Sequence, residues 1–189
     1  MRFGFAGGRC SLAPVFSGYQ QSTIDPQPVD DPPAALNPLE SLPHGPEFRF
    51  VDAIVELEPG KRALGTYLLK GSEDFLRGHF PAQPILPAVI MVEAIAQVAG
   101  VALQCDPAIP PMPDLRLTAI RNVKILGTVM PGETLHIEAT VQGRMGNLVQ
   151  ATGRVRVGER VIAEGQVTMS GSSGSGEASS DVSTATTPA

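Results

Sequence analysis

One histidine, His79, stands in a Gly/Pro-rich loop, and one glutamate, Glu93, stands in the apolar stretch that follows it. Together they fall within RGHFPAQPILPAVIMVEAIAQVAG, residues 77–100. Val89, Ile90, Met91, Val92, Ile95, Ala96, Val98 and Ala99 would leave a helix here with no solvated face, which predicts burial in a core. Glu93 and Gln97 are the exceptions, and their i,i+4 spacing stacks them on one side. A carboxylate walled by apolar side chains is costly to keep ionised without partners, so such a group suits proton donation. The chemistry to expect is acid–base.

Other elements must hold that loop and that helix in place. The helix is expected over residues 87–103, with Pro87 at its first turn, and the proline-dense 106–113 cannot continue it. Before it, residues 48–57 and 62–70 are apolar runs split by the turn signal Glu58-Pro59-Gly60-Lys61, and 71–86 is a long loop. After it comes a strand over 117–126 and a turn at Pro131-Gly132-Glu133. In 134–141, Leu135, Ile137, Ala139 and Val141 alternate with Thr134, His136, Glu138 and Thr140, the period of a half-buried strand. Runs at 148–157 and 161–169 follow, joined at Gly158-Glu159-Arg160. One buried helix and six strands imply an α+β domain, an antiparallel sheet curled around the helix.

At 189 residues the chain suits a single domain with a real core. Residues 1–40, rich in Pro, Gly and Gln, and the Ser/Gly/Thr-rich 171–189 are expected to be disordered, since neither buries enough apolar surface to offset ordering entropy. The domain is placed at 41–170. Six of the 19 acids but only Arg2 and Arg9 of the 14 basic residues lie outside it, so the domain is nearly neutral. No basic stripe of a nucleic-acid binder is present. Cys10 and Cys105 lie far apart without metal-ligand spacing and are read as reduced thiols. Neither a secretory h-region nor a stretch of about 20 apolar residues is seen, so no membrane span is expected and a cytoplasmic location is the default.

Gly78-His79-Phe80-Pro81, then Pro87-Ala88-Val89, then Glu93-Ala94-Ile95-Ala96-Gln97 together resemble the FabZ-type (3R)-hydroxyacyl-acyl carrier protein dehydratases of the hotdog fold. The likeness extends in order to Leu42-Pro43-His44, Phe48, Val51-Asp52, Glu58-Pro59-Gly60-Lys61 and Pro131-Gly132-Glu133 with Leu135. The resemblance implies a dehydratase acting on thioesters carried by acyl carrier protein. It also implies a homodimer, and in many members a trimer of dimers, in which histidine and glutamate of one site come from opposite subunits. Dehydration needs a proton taken from C2 and another delivered to the hydroxyl leaving C3. An imidazole suits the first task at neutral pH, which makes His79 the base and Glu93 the acid. Free N–H groups at the helix start, near Ala88 and Val89, are suited to polarise the thioester carbonyl.

Phe80, Pro87, Ala88, Val89 and Gln97 are accordingly expected to face substrate, and no metal or redox cofactor is expected. His44 matches a family landmark but is read as structural, and His136 as solvated. Three features depart from the family pattern: Ala88 replaces a glycine, Gly45-Pro46-Glu47 replaces a basic residue, a tyrosine and a proline, and a basic stretch is reduced to Lys124. Arg77, Arg116, Arg121 and Lys124 remain to dock an acidic carrier. The alternatives are a hotdog thioesterase and a non-catalytic subunit that binds the carrier or its acyl chain.

Overall fold

The computed structural model describes residues 37–172. The disordered segments expected at 1–40 and 171–189 fall outside these residues, except at 37–40, 171 and 172. Ahead of the expected domain start, the Asn37 side chain accepts the Leu39 N–H at 3.1 Å and caps a 3-10 turn at Pro38–Ser41. That turn buries Leu39 among the core residues.

Six strands follow, β1 (Ala53–Glu58), β2 (Arg62–Leu68), β3 (Arg116–Ile125), β4 (Thr134–Met145), β5 (Leu148–Val157) and β6 (Arg160–Ser170), with one helix, α1 (Ala88–Gln104), between β2 and β3. They form one sheet in the order β1-β2-β4-β5-β6-β3, every neighbouring pair antiparallel. The helix touches all six strands, so the sheet curls around it as the hotdog architecture requires. The expected α+β class and the period-2 pattern both hold: Leu135, Ile137 and Ala139 are buried, while Thr134 and His136 face solvent.

Close approach of helix and sheet depends on small residues beneath it. A side chain at Gly153 of β5 would collide with Ile95 of α1, and one at Gly65 of β2 would come within 2.7 Å of Val51 and 3.0 Å of Val98. Glycine lets the helix lie directly on those strands, and the core is packed at a density that tolerates no added methylene cheaply.

Two elements differ from expectation. The strand expected from residue 48 begins only at Ala53, because Pro46, after Gly45, opens a 3-10 turn at Pro46–Phe48. The Phe48 carbonyl and the Phe50 N–H are then taken by a side chain of α1, not by a neighbouring strand. The strand expected to stop at 141 continues to Met145 across a bulge between Val141 and Gly143. Burial of the helix on every side holds from Met91 to Leu103 with Glu93 as the gap. It fails at the first turn, where Val89 is 74% exposed, since no described element covers that end.

Candidate active site

The loop ahead of α1 is anchored by the Pro131-Gly132-Glu133 turn. The Gly132 N–H donates to the Leu69 carbonyl at 2.6 Å, the Leu69 N–H to Glu133 at 3.1 Å, and the Leu86 N–H to Val129 at 2.9 Å. Between these ties a 3-10 turn at Asp74–Arg77 ends at Gly78, and the His79 N–H returns to the Leu76 carbonyl. The half-buried His79 ring holds its Nδ1 2.9 Å from the carbonyl oxygen of Ile85. A carbonyl only accepts, so in the neutral ring Nδ1 bears the hydrogen and Nε2 the lone pair. That imidazole can take a proton.

Phe80 packs its ring edge-on to His79, centroids 4.4 Å apart. Its φ of 58° lies in the left-handed region, which costs a non-glycine residue about 1–3 kcal/mol. The ring is nonetheless 57% exposed.

On the helix side, Glu93 is only 21% exposed at its side chain. Its Oε1 accepts from Nε2 of Gln97 at 3.1 Å, the i,i+4 partner anticipated from spacing. Gln97 is 2% exposed and fully engaged: Nε2 also donates to the Phe48 carbonyl at 2.9 Å, and Oε1 accepts the Phe50 N–H at 2.9 Å. One amide thus fastens the segment before β1 to the helix and fixes the carboxyl of Glu93. His44, read as structural from sequence, brings Nε2 to 3.4 Å from the same Oε1 and stacks on Phe48. No local pattern could reveal this, because the contact spans two segments that meet only in the fold.

Pro87 caps α1 without a side-chain hydrogen bond; its carbonyl accepts the Ile90 N–H at 3.0 Å, and the N–H groups of the first two helical residues are left free among the described residues. Ala88 and Val89 present them, and Val89 projects outward. Ala88 is the first helical residue and has no positive φ, so its methyl group imposes no backbone strain at the position where the family pattern read from sequence expects glycine. A groove of about 460 Å³ starts at Glu93, His44 and Gln97 and continues past Ala96 and Gly100 to Met112 and Leu115.

Among the described residues no hydrogen bond or ion pair joins His79 to Glu93. His79 is tied to Ile85, and Glu93 to Gln97 and His44. The docking candidates are all exposed. Arg77 lies 3.2 Å from Asp74, Lys124 3.5 Å from Glu164 and Arg116 4.0 Å from Asp114, while Arg121 makes no ion pair among the described residues.

A curled antiparallel sheet wrapped around one long helix, with an imidazole in the preceding loop and a carboxyl on the helix, defines a protein of the hotdog class. The FabA-like domain family matches residues 42–166. The chain is 35% identical over 130 residues to the 3-hydroxyacyl-[acyl-carrier-protein] dehydratase FabZ of Rickettsia bellii, covering 69% of this chain and 90% of that one. It is 39% identical over 126 residues to FabZ of Caldanaerobacter subterraneus, covering 67% and 89%. In fold it is similar to a dehydratase heterocomplex, ApeI:P, from Xenorhabdus doucetiae, with a TM-score of 0.63 at 15% identity over 73% of this chain and 92% of that one. The chain therefore belongs to the FabA-like family, alongside the FabZ dehydratases.

Proposed function

We propose that this protein dehydrates (3R)-3-hydroxyacyl thioesters carried on acyl carrier protein to trans-2-enoyl thioesters, in the synthesis of fatty acids or related acyl chains. Nε2 of His79 takes a proton from C2, the C2–H electron pair forms the new double bond, and the C3–O bond breaks. Glu93 delivers a proton to the departing hydroxyl, which leaves as water. His79 ends protonated and Glu93 ionised, and exchange with solvent resets both. The reaction is redox-neutral, so no metal or redox cofactor is called for. Negative charge growing on the thioester oxygen is met by the free N–H groups near Ala88 and Val89, with Phe80, Pro87 and Gln97 bounding the substrate.

The observation that carries this reading is the Nδ1 contact of His79 with Ile85, which leaves a lone pair on Nε2 in a member of a family that includes named dehydratases. Because His79 and Glu93 do not meet within the chain, we assign them to one site across a homodimer. Two features favour that assembly. The sheet ends on β3, whose backbone edge is a template for another strand and whose Ile120 and Ile125 are exposed. The uncovered first turn of α1, with Val89 outermost, and the exposed Phe80 offer further apolar surface for a second copy.

Arg77, Arg116, Arg121 and Lys124 are assigned to carrier docking. Their pairs with Asp74, Asp114 and Glu164 are solvent-exposed and worth about 0–1 kcal/mol, so an acidic partner can displace them. Among the described residues no helix is long and apolar enough to cross a membrane, and we place the activity in the cytoplasm. The test is incubation of the full chain with a 3-hydroxyacyl carrier substrate, following its enoyl product. Enoyl formation upholds the proposal. Release of free carrier thiol would instead identify a thioesterase, and binding without turnover a carrier- or acyl-binding subunit.

A further inference from the structure

The proposed reaction asks Glu93 for one proton but leaves open which carboxyl oxygen holds it, and the surroundings of Glu93 decide between them. Gln97 cannot be turned around. Its Oε1 must accept from the Phe50 N–H and its Nε2 must donate to the Phe48 carbonyl, so the remaining hydrogen on Nε2 points at Oε1 of Glu93. Oε1 is therefore an acceptor, the role that the carbonyl oxygen of a carboxylic acid fills better than its hydroxyl. Nε2 of His44 faces the same oxygen from 3.4 Å.

The tautomer of His44 follows from its two nitrogens. Nδ1 is buried with no hydrogen-bond partner among the described residues, and a hydrogen placed there would be an unpaired donor. A lone pair on Nε2 would confront the lone pairs of Oε1. Hydrogen on Nε2 avoids both. At 3.4 Å the approach is longer than a formed hydrogen bond, and catalytic contacts of this kind tighten when substrate closes the site. The ring is held for that approach by stacking on Phe48, centroids 5.9 Å apart, whose own carbonyl is fixed by Gln97.

We infer that His44 is a positioning residue: with Gln97 it saturates Oε1 of Glu93 with N–H donors, so the transferable proton sits on Oε2 and is aimed at the leaving hydroxyl. No described residue donates to Oε2, which leaves that oxygen for substrate. The inference rests on the dehydratase reading and assigns His44 a part in it that touches neither substrate nor the reacting atoms.

The experiment compares His44→Phe with His44→Gln in the full chain, measuring kcat and KM for a 3-hydroxyacyl carrier substrate. Phenylalanine keeps the stacking and removes the donor, while glutamine returns an N–H near the Nε2 position. The expected result is a fall in kcat of roughly tenfold or more for His44→Phe with KM changed by less than about twofold, and recovery of most of that loss in His44→Gln. If His44→Phe does not fold, His44→Asn, polar but too short to reach Oε1, takes its place with the same expectation. Parent turnover with an unaltered kcat in the donor-less variant overturns the positioning role alone, as does a loss that glutamine fails to rescue. Absence of turnover in the parent removes the dehydratase reading, and this inference falls with it.

Discussion

The two groups proposed to carry protons, Glu93 and His79, are held in unlike ways. Glu93 sits on a helix buried from Met91 to Leu103, and its neighbour Gln97 is bound to two backbone groups of a distant segment. His79 sits on a loop, fixed by one side-chain contact to a carbonyl six residues on and flanked by the strained, exposed Phe80. The carboxyl is positioned by the whole fold and the imidazole by local chain geometry. The half on the helix is embedded in the core, while the half on the loop rests on few contacts, an arrangement that suits the homodimeric site proposed above.

Removing either group strikes hardest. His79→Ala and Glu93→Gln should each lower kcat about 10²–10⁴-fold, the usual worth of a general acid or base. Their folds should survive, which circular dichroism checks. Mixing the two variants then tests the shared site directly. In a heterodimer one site receives both substitutions and the other receives none, so activity should return on co-expression although each variant alone is dead. A mixture as inactive as its components would show that both groups act within one chain.

The second test separates the two halves through stability. Gln97→Leu leaves the buried Phe50 N–H unpaired, at about 1–3 kcal/mol, and the part-buried Phe48 carbonyl without its donor, at less because solvent can reach it. The expected outcome is a loss of several degrees in Tm together with a fall in kcat, since the Glu93 carboxyl loses the donor that hydrogen-bonds it at 3.1 Å. A Tm equal to the parent's would mean that the segment before β1 does not depend on the helix, and the contrast between the halves would disappear.

What the sequence made legible follows the same division. Local periodicity predicted α1 and the alternation of β4, and the spacing of Glu93 and Gln97 predicted their contact, because each signal lies within a few residues. The His79 loop was recognisable from its motif. Contacts joining remote segments were not. Nothing around His44 announces Glu93, and nothing near Phe48 shows that its carbonyl is claimed by Gln97, so the segment before β1 read as strand where the chain makes a 3-10 turn. Exposure of Val89 was also hidden, since periodicity reports which residues are apolar and not whether anything covers them.

Phe80→Gly probes the local half with a smaller effect. Glycine relieves the left-handed strain of about 1–3 kcal/mol but adds unfolded-state entropy worth about 0.5–1 kcal/mol, so stability should hold or rise by up to about 2.5 kcal/mol. The exposed ring contributes little burial. Its loss frees the His79 side chain on one side, and kcat should fall roughly tenfold. Activity lost without stability lost is the signature of a locally held base. A large drop in Tm would place Phe80 in the core instead.

At neutral pH the smallest effect belongs to Tyr67 of β2, on the embedded side. Its ring meets that of Phe50 edge-on, centroids 6.1 Å apart, and it is 7% exposed. Burial, with the negative charges of Glu73 and Asp52 adding to it, pushes its hydroxyl up to about 12 from an ordinary value near 10. The unfolded chain ionises this phenol first. Its contribution to stability is therefore complete below about pH 10 and is lost as pH rises through about 12. Tyr67→Phe should leave Tm unchanged at pH 7 and flatten its decline over that alkaline window. Absorbance titration in a Tyr19→Phe background, where Tyr67 is the sole phenol, should give a midpoint near 12 while the protein stays folded. A midpoint near 10 would mean that solvent reaches the base of the aromatic cluster beneath Gln97, and the acid half would be less firmly embedded than its hydrogen bonds imply.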